Sequence, residues 1–143
     1  MTTSSTTSPA ATNTQRKAEL LQRARSFAKE ARSFVGKTPR SIINLGDCRQ
    51  LVKASGAIGT CYIEADTAPG RTEFIRSIQS CRRFARQSNH YLQLLDVNLE
   101  ERSEEMRSKL EAEAHELERI FGAIVGSVLN KAKADKADKD LEG

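Results

Sequence analysis

Apolar positions recur along this chain at alternating steps of four and three, the spacing that lays one face of a helix against a neighbour. From about Gln15 the stripe runs Leu20, Ala24, Phe27, Ala31 and Phe34, widened by Leu21, Ala28 and Val35, and Gly36 offers a stop. Thr38-Pro39 reads as an N-cap followed by proline at the first helical position, which predicts a second helix after almost no loop and therefore an antiparallel neighbour. The seam of that helix is Leu45, Cys48, Val52, Ser55, Gly59 and Tyr62, with Leu51, Ile58 and Ala65 beside it, and Asp66-Thr67-Ala68-Pro69-Gly70 ends it. A third helix, starting between Thr67 and Thr72, carries Phe74, Ile78, Cys81, Ala85, Ser88, Leu92 and Leu95. Asn98 with Glu101 forms a capping-box pattern opening a long fourth helix with Leu110, Ala114, Leu117, Phe121, Ile124 and Val128 in register. Without strand-like alternation of any length, the pattern predicts an all-α, antiparallel up-down-up-down four-helix bundle.

The bundle is expected over residues 15–132. An uncharged Ser/Thr/Ala/Pro segment over 1–14 reads as a disordered tail, and 133–143 as a charged, alanine-rich end that frays. The second helix is unusual at its centre, where Ser55, Gly56, Gly59 and Thr60 leave almost no side chain. Each helical Gly costs roughly 1 kcal/mol relative to Ala, so the pair predicts that another backbone comes close there. Ser55, Gly56, Gly59 and Tyr62 are therefore helix-packing candidates, and Gly122 and Gly126 repeat the spacing on the fourth helix, inside the bundle or against a neighbouring subunit.

Charge changes the picture. The net formal charge is +4, but residues 15–95 hold 15 Lys or Arg against 6 Asp or Glu, whereas residues 96–143 hold 8 against 13. Two readings stay open. Basic faces and an acidic fourth helix could complement each other, within a bundle or between subunits. Alternatively, Arg23, Arg25, Lys29 and Arg32 on the first helix, with Arg76, Arg82, Arg83 and Arg86 on the third, could meet the phosphates of a nucleic acid. The predominance of Arg favours fork-like phosphate contacts. Aromatic side chains do not interleave with these arginines, His90 and Tyr91 apart, so recognition by shape and charge is expected rather than base stacking.

Candidate chemistry adds little. Cys48, Cys61 and Cys81 have no paired spacing and read as reduced, apolar fillers; His90 and His115 lack partners at metal-ligand spacing. Glu111, His115 and Glu118 share a face of the fourth helix and read as solvated. No nucleophile elbow, phosphate loop or dinucleotide fingerprint occurs, so no catalytic residue, cofactor or metal is assigned. Tyr62 with Glu64 reads as a hydrogen-bonded brace. With no apolar run near 20 residues and no secretory signal pattern at Met1-Thr2-Thr3, the chain is expected to be cytoplasmic and to have no membrane partner.

Four pieces of the chain carry a family likeness: Gln50 through Ala65, then Glu73-Phe74-Ile75, Tyr91-Leu92-Gln93-Leu94-Leu95, and Glu118 through Ile124. With them the chain resembles the bacterial four-helix bundle family that includes proteins encoded in intervening sequences of 23S ribosomal RNA genes. The resemblance implies a non-enzymatic antiparallel bundle that assembles as a homo-oligomer, typically a pentamer. A related branch, the accessory variability determinant of diversity-generating retroelements, implies a reverse transcriptase and RNA or DNA as partners. The chain departs from the family at Arg83-Phe84-Ala85-Arg86-Gln87-Ser88, where acidic positions are usual, and this makes Phe84 a candidate exposed or interfacial aromatic. The expected function is a bundle that binds structured RNA through its first and third helices, or alternatively a scaffold that docks an acidic protein partner.

Overall fold

The computed structural model describes residues 12–97 and 100–142. It is a four-helix bundle of α1 (Asn13–Gly36), α2 (Ile42–Asp66), α3 (Arg71–Leu94) and α4 (Glu101–Glu142), with no strand among the described residues. The backbones of α1 and α3 each pack against both α2 and α4 and stand diagonal to one another. Successive helices run antiparallel, as the pairing of Lys17 near the start of α1 with Asp66 at the end of α2 requires.

Local chemistry sets the ends. Thr12 accepts from Gln15 N at 3.1 Å while Gln15 Oε1 accepts from Thr12 N at 2.7 Å, so a reciprocal capping box starts α1 two residues before the expected point. The Thr38-Pro39 start of the second helix is corrected. Thr38 Oγ1 donates to Val35 O at 2.8 Å, satisfying a carbonyl of the last turn of α1, and Ser41 caps α2 instead by accepting from Asn44 N. The capping role expected of Asn98, like tail residues 1–11, lies outside the described residues. The fourth helix does not stop near 132 but continues to Glu142; Ala and Lys dominate that segment, and both favour helix intrinsically. Arg71 Nη2 meets Asp135 at 3.3 Å, so α4 follows α3 past the expected boundary.

The stripes of α1 and α3 are buried as their spacing predicts, with Ala24, Phe27, Ala31 and Phe34 facing Ile78, Cys81, Ala85, Ser88 and Leu92 around a common core. The face of α2 is rotated from the expected seam. Its buried residues are Asn44, Cys48, Leu51, Ala54, Ser55, Ile58, Cys61, Tyr62 and Ala65, whereas Leu45 is exposed. On α4 the stripe passes through Phe121 to Val125. Phe84, expected as exposed or interfacial, is half-buried against the core.

The glycines do not mark a backbone approach. A Cβ on Gly56 would meet the guanidinium of Arg32 at 3.1 Å, one on Gly59 would meet Leu21 Cδ1 at 3.8 Å, and one on Gly122 would meet Arg82 at 3.4 Å. Side chains of the adjacent helix, two of them arginines, fill the space. Gly126 has nothing within 4 Å. Gly126→Ala should therefore raise stability by about 0.5–1 kcal/mol through helix propensity, read as a higher urea midpoint at unchanged m.

All three cysteines are buried and free. Cys81 donates to Ile58 O at 3.5 Å, and burial pushes its thiol up to about 12; burial also raises Cys61 and the Tyr62 phenol. The folded chain holds these protons where the unfolded chain releases them. Their stabilising contribution is thus complete below about pH 9 and is lost as pH rises toward 12. Urea titrations at pH 8, 10 and 11 should show a falling midpoint, and a flat profile would contradict the burial of these groups.

Candidate nucleic-acid interface

The eight cations predicted as a nucleic-acid surface meet different fates, and the position of α4 between α1 and α3 decides them. Arg23 on α1 donates from Nε to Glu113 Oε2 at 2.7 Å and from Nη2 to Oε1 at 2.8 Å. This fork on a carboxylate raises the Arg23 pKa further, the hydrogen bond being the largest cause. Arg86 on α3 donates from Nε and Nη2 to Glu118 Oε2 at 3.1 and 2.9 Å. Together with Arg71 and Asp135, these contacts bring acidic α4 against basic α1 and α3, the complementation within one bundle that the charge asymmetry allowed.

Two further arginines are laid into grooves. Arg82 crosses from α3 onto Gly122 of α4, beside His115 and Glu118, with its Nε buried and unpartnered among the described residues. Arg32 lies over Gly56 and donates from Nη1 to Ala28 O at 3.1 Å. Arg83 sits over the Phe84 ring, 5.0 Å from its centroid, in a cation–π contact. Arg76 is exposed.

Apart from Arg76, which also has no carboxylate partner among the described residues, what remains is a row on the α1–α2 side. Arg25, Lys29 and Arg32 step by four and three along α1, a rise of about 10 Å. None has a carboxylate partner among the described residues. Arg49 and Lys53 continue this face on α2, since Arg49, Lys53 and Gly56 also step by four and three and Gly56 lies under the Arg32 guanidinium. Both side chains are exposed. The sequence reading overlooked these two because it treated α2 as a packing helix; the spacing of Arg49 and Lys53 to Gly56 was the available signal.

The same groove opens at its far end into a cleft of about 650 Å³ lined by Lys17, Leu21, Arg25, Tyr62, Ile63 and Asp66, among others. A smaller hollow of about 230 Å³ adjoins it across Tyr62, floored by Leu20, Phe74 and Ile124. Lys17 and Asp66 pair at 3.3 Å and line both. The expected brace between Tyr62 and Glu64 is absent among the described residues. Residues two apart on a helix face apart; Tyr62 turns inward against Phe121, ring centroids 6.1 Å apart, while Glu64 is exposed. His90 packs edge-on against Tyr91, ring centroids 5.2 Å apart.

Among the described residues no group of three His, Cys, Asp or Glu could hold a metal ion, and no helix is long and apolar enough to cross a membrane. No family model, curated protein or solved structure matches the chain.

Proposed function

We propose that this protein is a non-enzymatic, oligomeric four-helix bundle that binds structured RNA, and that the binding face is the α1–α2 groove. The observation that carries the reading is the division of the cations. Glu113 and Glu118 of α4 neutralise Arg23 and Arg86, whereas Arg25, Lys29, Arg32, Arg49 and Lys53 keep their charge on one side of the bundle. Phosphates released from their counterions are the chemistry such a row meets best. The resemblance to the intervening-sequence family supports the oligomer, proposed as a homopentamer; a cytoplasmic location is proposed from the N-terminal sequence, which lacks a secretory signal pattern. Light scattering measures the stoichiometry.

The test is binding of a labelled RNA hairpin at near-physiological salt after nuclease treatment of the preparation. Neutralising Arg25, Lys29 and Lys53 together as Gln should weaken binding at least about tenfold for every hairpin sequence, because phosphate contacts carry no sequence information. Arg32 is left in place because it also packs on Gly56. Unchanged affinity in the triple variant would refute the face.

A second reading, a scaffold docking an acidic protein such as a reverse transcriptase, rests on a different observation. At the start of α2, Ile42 and Ile43 are 91% and 76% exposed, with Arg40 beside them. Capture of that partner by wild type and not by an Ile42→Ser/Ile43→Ser variant, in nuclease-treated samples, would favour the scaffold.

A further inference from the structure

The geometry points to a pocket for one unpaired nucleobase at the end of the basic row, in the cleft between α1 and α2; this rests on the RNA reading above and adds the class of RNA recognised. The cleft, about 650 Å³, lies within the 300–1,000 Å³ range of sites that hold small ligands, ample for a single nucleotide. Its walls are apolar where a base would enter, with Leu21 on α1 and Ile63 and Tyr62 on α2. Ile63 is 47% exposed, and a base seated against it would remove that surface from water.

The rim supplies the charges. Lys17 and Arg25 line the cleft from α1, and Arg25 is also the first cation of the row that continues through Lys29 and Arg32. A strand whose phosphates follow the row therefore arrives at the cleft beside Arg25, with Lys17, held by Asp66, on the far rim. Asp66, at 3.3 Å from Lys17, offers an acceptor to a base edge. Duplex RNA cannot use the cleft, because its bases are stacked and its deep groove is closed to side chains; single-stranded loops and bulges present bases that can be splayed out. Tyr62 is buried and packed on Phe121, so the cleft has no open aromatic platform, and no strong preference among the four bases is expected.

The experiment compares two RNA hairpins that differ only by one unpaired nucleotide in the stem, with 2-aminopurine at that position. Wild type should bind the bulged hairpin about tenfold more tightly, through the apolar surface of Leu21 and Ile63 that the base covers, and the 2-aminopurine emission should shift on binding as the base leaves the stem for the cleft. Ile63→Ser removes the apolar wall of the cleft at an exposed helical position without adding charge beside Arg25. It should abolish both the preference and the emission change while leaving binding of the unbulged hairpin within about threefold of wild type. Equal affinity of wild type for the two hairpins, or an emission change that Ile63→Ser retains, would overturn the base pocket and leave the basic face standing. Failure to bind either hairpin would overturn both.

Discussion

Replacing Phe121 by Ala should lower the stability of the bundle by about 3–5 kcal/mol, the range observed for deletion of a fully buried aromatic ring. Phe121 has no exposed surface and lies in the core cluster, where its ring tilts 50° against Tyr62. Removing it takes away buried apolar area and leaves a hole between α2 and α4 that rigid neighbouring helices fill poorly. Domains of this size are stable by only about 5–15 kcal/mol, so the loss consumes a large share of the total. Thermal unfolding should fall by roughly 10 °C. Leu141→Ala is the matched control: Leu141 is exposed on the last turns of α4, and its removal should stay within about 0.5 kcal/mol. Because Tyr62 loses its neighbour, the Phe121 variant should also disturb the cleft that Tyr62 walls.

Asn44→Leu is expected to cost about 3 kcal/mol although it increases the apolar content of the core. Asn44 is buried, and its amide nitrogen donates to Pro39 O at 3.0 Å and to Asp96 O at 2.7 Å while its oxygen accepts from Asp96 N at 3.0 Å. One side chain thus joins the α1–α2 connection, the start of α2 and the α3–α4 connection. Leucine has the same branched outline, with bulkier methyl groups, but returns none of these bonds, and each is worth about 1 kcal/mol net, with more lost where a partner stays dry. Asn44→Asp separates hydrogen bonding from shape. An ionised carboxylate could still accept from Asp96 N but would face two carbonyl oxygens, so this variant should be at least as destabilised at pH 7 and should recover in part as the carboxyl protonates in acid. Equal stability of wild type and Asn44→Leu in urea would show that the lock is not formed.

The sequence disclosed the helices and much of the core because a stripe at steps of four and three has one interpretation in a chain without strand alternation. Phe27 and Phe34 on α1, and Ile78 and Cys81 on α3, are buried where their spacing put them. The face of α2 was misjudged for a physical reason. Leu45 is the more apolar residue, but Asn44 is the one that can satisfy the connections closing that end, so hydrogen bonding overrides hydrophobicity there. The glycine seam misled in the same way. Small residues signal close approach but not what approaches, and here Arg32 and Leu21 side chains lie on Gly56 and Gly59. The fate of each arginine was not legible, since it depends on which helix stands beside it. Arg23 and Arg25 are two residues apart, and only the placement of α4 gives the first to Glu113 and leaves the second facing outward.

The central claim, that α4 removes Arg86 from the nucleic-acid surface and leaves the α1–α2 row to carry it, is tested most directly by the salt dependence of RNA affinity. Three proteins suffice: wild type, the Arg25→Gln/Lys29→Gln/Lys53→Gln variant, and an Arg76→Gln/Arg83→Gln/Arg86→Gln variant of α3. Each phosphate contact contributes somewhat less than one to the slope of log affinity against log salt, so neutralising three contacts should flatten the slope by about two to three. That flattening is expected for the α1–α2 variant, and a change of less than about one for the α3 variant, whose Arg86 is held by Glu118 and whose Arg83 lies on Phe84. The reverse order would return the interface to α3 and refute the α1–α2 face.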